Sequence, residues 1–587
     1  MKSTMMKIWQ MLKFEEKKTF VTLTIFTVVG AILEMLSLSL IVPATSILVE
    51  PDRTLPNSAL TSILNDVSSQ YRVIIGMITL VSIFALKNLF NAVVKRRQFS
   101  FQSNLEIRIS EELLTKYLRQ PYTFHLKTNS SEMGRNLIDV AQLIETTIAP
   151  MLLLLSEFLV IVGITALLLV IEPKGFIAVV IVFSLFGLIF TRWSNRLSSG
   201  YGLDRNVALG RKIKAIQECL QGIKEIQIYS RESTFIQRFS EANTKNARAN
   251  QKFLYLKYLP TYFLEIIVIG SLGFLASILV ISEKSPSTIV TTLAVFGAAA
   301  FRILPSLNRI INAIQSLRFG SATLENVVSG ISLPTPPNDL DDDLPLKFEN
   351  RIVMRDICFK YDSESTQVIK NANLSILKGT SLGIIGSSGA GKSTIIDLLL
   401  GLHPPSSGCI EVDGVNISNN ISAWRRNIGY VPQEIFLSDL TIRENIAFGY
   451  DESDIDDLMV ETAIKGAQLE TFVSKLEHGI NSSIGENGLQ ISGGERQRIG
   501  IARALYSNPK VLVLDEATSA LDVDTEEGVM QAIEMLKEFM TVIIVTHRIN
   551  SVRNCEKIAL VKDGDIKVFQ DFDAALRAFL NASNTLN

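Results

Sequence analysis

Glycines spaced ahead of a lysine and a hydroxyl make a set that can hold phosphate. Residues 382–397 read Leu-Gly-Ile-Ile-Gly-Ser-Ser-Gly-Ala-Gly-Lys-Ser-Thr-Ile-Ile-Asp. From Gly386 the spacing is Gly, four residues, then Gly391-Lys392-Ser393, the phosphate-binding loop. Gly386, Ser387, Ser388, Gly389, Ala390 and Gly391 form a turn whose backbone can wrap closely round phosphate oxygens. Its N–H groups, and those at the helix start with Ser393 and Thr394, point inward. Lys392 would reach the β- and γ-phosphates, and the Ser393 hydroxyl would ligate Mg²⁺. A chance Gly-rich turn is the alternative, but an apolar strand precedes this turn and a helix pattern follows it. The chain is expected to bind a nucleoside triphosphate.

A second set lies downstream. Residues 511–516 are an apolar run ending in Asp515 and Glu516, as a strand buried on both faces reads. Asp515 would sit in the Mg²⁺ shell. Glu516 would face the γ-phosphate and orient or deprotonate the attacking water. A capped strand end is the plainer reading of two such acids. Their place downstream of a phosphate loop favours the catalytic one. Before a helical pattern stands Ser492-Gly493-Gly494, with Ser492 a suitable N-cap and two glycines leaving N–H groups bare for an anion. Alone, that triplet does no better than a plain capped turn.

These residues need a rigid frame. From residue 346 onward strand and helix patterns alternate, which is an α/β domain with a largely parallel sheet. The half before it is different. Of 587 residues 47% are hydrophobic and 20% charged, with a mean hydropathy of +0.27, more apolar than a soluble ATPase. The net charge of −2 gives no reason to expect nucleic acid. The four cysteines lie far apart, without metal-ligand spacing, and read as reduced thiols. Residues 1–19 are basic and partly amphipathic, as in a helix lying on the membrane face, and no cleavable signal peptide is expected.

Apolar runs at 20–48, 73–94, 148–171, 175–190, 258–281 and 288–303 give six expected spans. The loops after the second and fourth spans are long and basic, and the first loop is acidic (Glu50, Asp52, Asp66). The positive-inside tendency therefore places both termini, the long loops and the α/β domain in the cytoplasm. Leu60, Ile63, Leu64 and Val67 form an apolar face in the first outer loop, either a helix on the outer surface or an ordinary helical loop. Residues 333–346 hold proline and an acidic run and read as a linker. The expected division is 1–325 membrane domain, 326–347 linker, 348–587 nucleotide-binding domain.

Together these features resemble the ATP-binding-cassette transporters, over nearly the whole chain. Ser492-Gly493-Gly494 looks like the family's signature, with Glu495 where Gln is commoner and Ile491 where Leu is commoner. Tyr361 resembles the aromatic that stacks on adenine. Gln433, in Tyr-Val-Pro-Gln, matches the glutamine that touches Mg²⁺ and senses the membrane domain. His547, in Val-Thr-His-Arg, matches the histidine at the γ-phosphate, while His125, His403 and His478 are read as structural. Ser519-Ala520-Leu521-Asp522 is similar to the segment through which two cassettes communicate.

The resemblance implies a six-span membrane domain of the type I exporter fold ahead of an α/β P-loop domain, with ATP and Mg²⁺ as cofactors. It also implies that ATP is sandwiched between the phosphate loop of one cassette and the signature of another. One chain is then half a transporter, and its intact Glu516, Gln433, Ser492 and His547 favour a homodimer. The ends of the long loops, around Tyr122 and around Tyr229 to Glu232, would dock on the cassette.

For the cargo, ionisable residues in or beside apolar runs are informative: Glu34, Lys87, Glu157, Glu265, Arg302 and Arg309. They either pair between helices, Glu265 with Arg302 for example, or Arg302 and Arg309 line a cavity for an anionic head group such as a diphosphate. Leu33-Glu34, Ser37 to Pro43, Pro260 with Leu264-Glu265, and Phe301 to Ile311 resemble bacterial flippases for lipid-linked oligosaccharides. That implies such a lipid-linked substrate at a plasma membrane, the bacterial inner membrane. A multidrug, lipid or peptide exporter shares every cassette feature. A soluble cassette ATPase would lack membrane spans, and an ATP-gated channel would have little use for intact hydrolytic residues.

Overall fold

In the computed structural model, residues 2–39, 69–171, 173–283, 286–335, 344–361, 366–485, 491–517 and, apart from 532 and 538, 531–584 are described. Packing divides the chain into two units, Met1–Gln120 with Thr128–Thr335, and Pro121–Lys127 with Pro336–Asn587.

The first unit is all helix. The apolar runs become long helices because a backbone in hydrocarbon must satisfy its hydrogen bonds internally. Helices Phe14–Ser39, Ser69–Leu118, Ala149–Ile171, Pro173–Gln221, Glu232–Ile281 and Pro286–Phe319 follow one another along the chain. Ser69–Leu118 and Glu232–Ile281 have 50 residues each. At 1.5 Å per residue that is about 75 Å, more than twice the roughly 30 Å hydrocarbon core. The helices therefore run well beyond the spans, as the helical patterning of the long loops predicts. In one such extension Leu105, Ile109 and Leu113, four residues apart, are buried.

Among the described residues four stretches are long and apolar enough to cross a membrane: Phe14–Ser37, Val73–Leu118, Ser130–Thr165 and Glu232–Ile281. The other two expected spans lie on Pro173–Gln221 and Pro286–Phe319, where many side chains are outside the described set. The expected outer-surface helix (Leu60, Ile63, Leu64, Val67), the end of the first span, Ser519 to Asp522 and the Arg302 side chain also lie outside it.

Ion pairs join the helices. Glu34 meets Lys87 at 3.7 Å, and Arg309 Nε lies 2.7 Å from Glu157. Arg205 bonds buried Asp139 at 2.7 Å. Glu265 is exposed. Pro173–Gln221 and Pro286–Phe319 touch at Gly202, where an added Cβ would stand 2.0 Å from the Phe319 carbonyl oxygen.

The second unit carries ten strands: β1 Arg351–Phe359, β2 Ile369–Leu377, β3 Ser381–Gly386, β4 Ser407–Val412, β5 Val415–Asn416, β6 Ile428–Val431, β7 Val511–Asp515, β8 Thr541–Val545, β9 Lys557–Lys562 and β10 Asp565–Phe569. An antiparallel sheet has the order β2-β1-β4-β5, and a second sheet the order β10-β9-β3-β8-β7-β6. In the latter β9, β3, β8, β7 and β6 are parallel. Every residue of β3 and β8 is buried, because one face packs on the antiparallel sheet and the helix Lys392–Leu399 and the other on helices such as Gly493–Tyr506. The short helix Tyr122–Lys127, from the tip of the first long loop, packs as part of this unit.

Candidate functional site

Four neighbouring strands, β3, β8, β7 and β6, bring the chemistry together. β3 ends at Gly386, where an added Cβ would lie 2.5 Å from the Val561 carbonyl oxygen, so only glycine fits. The loop then turns through Gly389 (φ 78°) and Gly391 (φ 103°), a left-handed conformation that favours glycine. Gly391 caps the helix Lys392–Leu399, leaving its first N–H groups facing the loop. Lys392 folds back over the turn and donates to the carbonyls of Gly386 and Ser387, both at 3.0 Å. Burial lowers its pKa, against the opposing pull of Glu516 and Asp515.

β7 lies between β8 and β6, so the residues just past their carboxyl ends meet. Glu516 has φ 49° and donates its amide N–H to the Val545 carbonyl at 2.8 Å, fixing where its side chain starts. Gln433, beyond β6, donates Nε2 to Glu516 Oε2 at 2.9 Å. His547, beyond β8, places Nδ1 3.3 Å from Glu516 Oε1. Asp515 is raised in pKa by burial and by Glu516, with Lys392 opposing. Its side chain bonds Tyr430, whose own pKa burial pushes up.

Tyr361, Val368, Ser388, Gly389, Gly391, Lys392, Ser393, Thr394, Gln433, Glu516 and His547 line one cavity of about 500 Å³. The Tyr361 and Thr394 hydroxyls are 2.9 Å apart. Of the residues expected from sequence, Gly386, Ser387 and Ala390 shape the loop behind that lining and Asp515 sits beneath it. Ser492, Gly493 and Gly494 are not part of this lining. Ser492 caps the helix Gly493–Tyr506 in a capping box, its side chain accepting from Glu495 N–H at 3.3 Å while Glu495 Oε2 accepts from Ser492 N–H at 2.7 Å. Glu495, the departure from the commoner residue, thus closes the cap.

Sequence reasoning missed Val368 in the lining, and Asp397 and Tyr430 below it. Asp397 is pushed up to about 6 by burial and by Asp515. Only its position four residues after Ser393, on the helix face turned to the sheet, could have drawn notice.

A second cavity, of about 580 Å³, lies wholly within the helical unit. It is lined by Phe158, Phe183, Phe186, Leu264, Phe296 and Leu307 among others, with no ionisable side chain among the described residues. Phe158, Ile310 and Ile314 also border an adjoining apolar cavity of about 330 Å³.

Residues 20–302 match the family described as the ABC transporter transmembrane region, and 369–519 the family described as ABC transporter. The chain is 30% identical over 475 residues to an ATP-dependent lipid A-core flippase of Saccharophagus degradans, covering 79% of this chain and 78% of that protein. A protein of the same name from Neisseria meningitidis serogroup B is 28% identical, covering 78% and 74%. A Bacillus subtilis ABC transporter ATP-binding/permease protein named for multidrug resistance is 32% identical over 61% of each chain. Among solved structures, a bacterial Atm1-family ABC exporter with ATP bound superposes with a TM-score of 0.78 over 97% of both chains, at 20% identity.

Proposed function

This chain belongs to the ABC transporter family, and on that premise we propose that it flips a lipid-linked oligosaccharide across the bacterial inner membrane as a homodimer. It is a multi-pass membrane protein and an ATP-driven exporter, with ATP binding and hydrolysis on the cassette coupled to transport. In our reading the cassette and both termini face the cytoplasm.

In the proposed reaction the loop from Gly386 to Thr394 cradles the phosphates and Tyr361 stacks on the adenine. Lys392 holds the β- and γ-phosphates. Glu516 accepts the proton of the attacking water, its plane fixed by Gln433 and His547 on its two oxygens. His547 is the group we assign to the γ-phosphate. Ser393, Gln433 and Asp515 fit Mg²⁺, offering hydroxyl, amide and carboxylate oxygens of the kind that ion takes. Lys392 also leaves charge unbalanced beside Asp515, Glu516 and a triphosphate. When bound there, Mg²⁺ would neutralise charge on the phosphates. Ser492, Gly493 and Gly494, outside this cavity's lining, would close over the nucleotide of a second copy. ATP binding would then turn the membrane domain outward, and hydrolysis would reset it.

The observation that carries the cargo reading is the apolar cavity inside the membrane domain, which has no ionisable side chain among the described residues of its lining. It suits a hydrocarbon chain. An anionic head group would compete with Glu157 for Arg309, which lies beside it at 2.7 Å. The test is flipping of a fluorescent lipid-linked oligosaccharide in proteoliposomes, with and without ATP. ATP-dependent flipping is expected, and no flipping by a preparation with intact ATPase activity would sink the cargo reading. ATPase stimulation by hydrophobic cations or peptides alone would instead favour a drug exporter, the reading the Bacillus subtilis relative supports.

A further inference from the structure

The aromatic wall of the nucleotide cavity continues inward through a residue that the proposed reaction does not use. His403 stands between the helix Lys392–Leu399 and β4 and is 1% exposed. Its ring stacks on Phe359 (centroids 5.3 Å apart), meets Tyr361 edge-on at 5.6 Å and lies tilted against Tyr122 at 5.7 Å. Among the described residues neither ring nitrogen has a hydrogen-bond partner, and the Asp397 carboxylate at 3.8 Å is out of hydrogen-bond reach. Buried polar atoms are nearly always paired, so an enclosed imidazole with both nitrogens bare calls for an explanation beyond filling space. A phenylalanine would fill it without that penalty.

Tyr122 supplies the explanation. It opens the short helix Tyr122–Lys127 from the tip of the first long loop, within the cassette unit, and is itself 43% exposed. It covers one side of an imidazole whose other sides are Phe359 and Tyr361. With Tyr122 seated, the imidazole is enclosed and packed against Tyr361. With Tyr122 lifted, water could reach the bare nitrogens, the ring could turn toward it, and Tyr361 would lose that support. Two such arrangements make an element that either end can bias.

We propose that His403 is a positioning residue that transmits the seating of Tyr122 to Tyr361, so that the tip of the first long loop sets the cassette's affinity for the adenine base. The proposal rests on the reading above that Tyr361 stacks on adenine. By linkage, base binding seats the loop tip to the same degree.

The test uses the full-length protein in lipid nanodiscs, with KM for ATP and kcat measured together. Tyr122→Ala raises KM about three- to tenfold, the range one lost aromatic pair carries, with kcat at saturating ATP held within about twofold. His403→Ala does the same, and the double variant is no worse than the worse single, because both cut one link. His403→Phe keeps the ring contacts, so KM stays near the wild-type value while Tyr122 is seated, which guards against a misfolded alanine variant. It also removes the nitrogens that water would turn, so Tyr122→Ala no longer raises KM on that background. An unchanged KM in Tyr122→Ala, a double effect equal to the product of the singles, or a His403→Phe as impaired as His403→Ala each overturns the proposal. Tyr361→Ala separates the two readings. A raised KM there, with none in Tyr122→Ala, sinks this link alone, whereas an unchanged KM there sinks base stacking itself.

Discussion

Glu516 and Asp397 are two carboxylates held in different surroundings. The backbone of Glu516 is held at φ 49° with its amide bonded to Val545, and its carboxylate touches Gln433 and His547. Glu516→Gln keeps the shape and removes the carboxylate proposed as the base. The expected outcome is a fall in kcat of about 10²- to 10⁴-fold, with ATP still retained on rapid filtration. Undiminished phosphate release would remove Glu516 from the role. Asp397 is raised to about 6 from an ordinary 3.8, first by burial and then by Asp515. Between those values the folded state holds the proton more tightly than the unfolded chain. Its contribution to stability is therefore complete below about pH 4 and is lost as pH rises through about 6. Asp397→Asn should raise stability at pH 7.5 by about 2 kcal/mol in Mg²⁺-free buffer, the gain shrinking as pH falls toward 4. Thermal unfolding across that range checks it, and a less stable variant at pH 7.5 would contradict burial as the dominant cause.

At the scale of elements, the order of strands decides what the motifs can do together. The phosphate loop, the Asp515-Glu516 pair and Ser492-Gly493-Gly494 were legible because each is a short local pattern with its own strand or helix start. That Gln433 and His547 flank Glu516 was not a local property. It follows from β6 and β8 lying on either side of β7, which sequence spacing does not encode. Likewise Glu157 and Arg309 each marked themselves as charges in apolar runs, but their pairing across 152 residues depends on how helices pack. His403 gave no signal at all, since a lone histidine carries no spacing. The same scale holds Asp139 and Arg205, on Ser130–Leu143 and Pro173–Gln221, whose contact ties two helices beyond the sequence-expected spans. Asp139 is 2% exposed, so losing its partner strands a buried charge. Arg205→Ala should cost about 3–5 kcal/mol, whereas Arg205→Met with Asp139→Leu should recover most of it. Unfolding midpoints in detergent decide this, and an unaltered midpoint in Arg205→Ala would mean that water already relieves Asp139.

The whole molecule poses a question that one chain cannot answer within itself. Its membrane half offers an apolar cavity, and apolar contacts discriminate weakly between cargoes, so the cavity alone does not single out one cargo. Its cassette half offers Lys392 in one lining and Ser492 outside it. If both serve the same nucleotide, they come from different copies related by a two-fold axis, and the interface is isologous. Lys392→Ala and Ser492→Arg should each abolish ATP hydrolysis in a pure homodimer. In a mixed dimer the two lesions fall at one composite site, leaving the other with an intact loop from one copy and an intact signature from its partner. Co-expressing the two variants under different affinity tags and purifying through both should therefore restore hydrolysis that neither has alone. A site built within one chain would show no such rescue, because every loop or every signature it needed would still be broken in the same copy. Silence from the doubly purified dimer, with the wild-type pair active under the same two tags, would overturn the shared site and with it the need for a second copy.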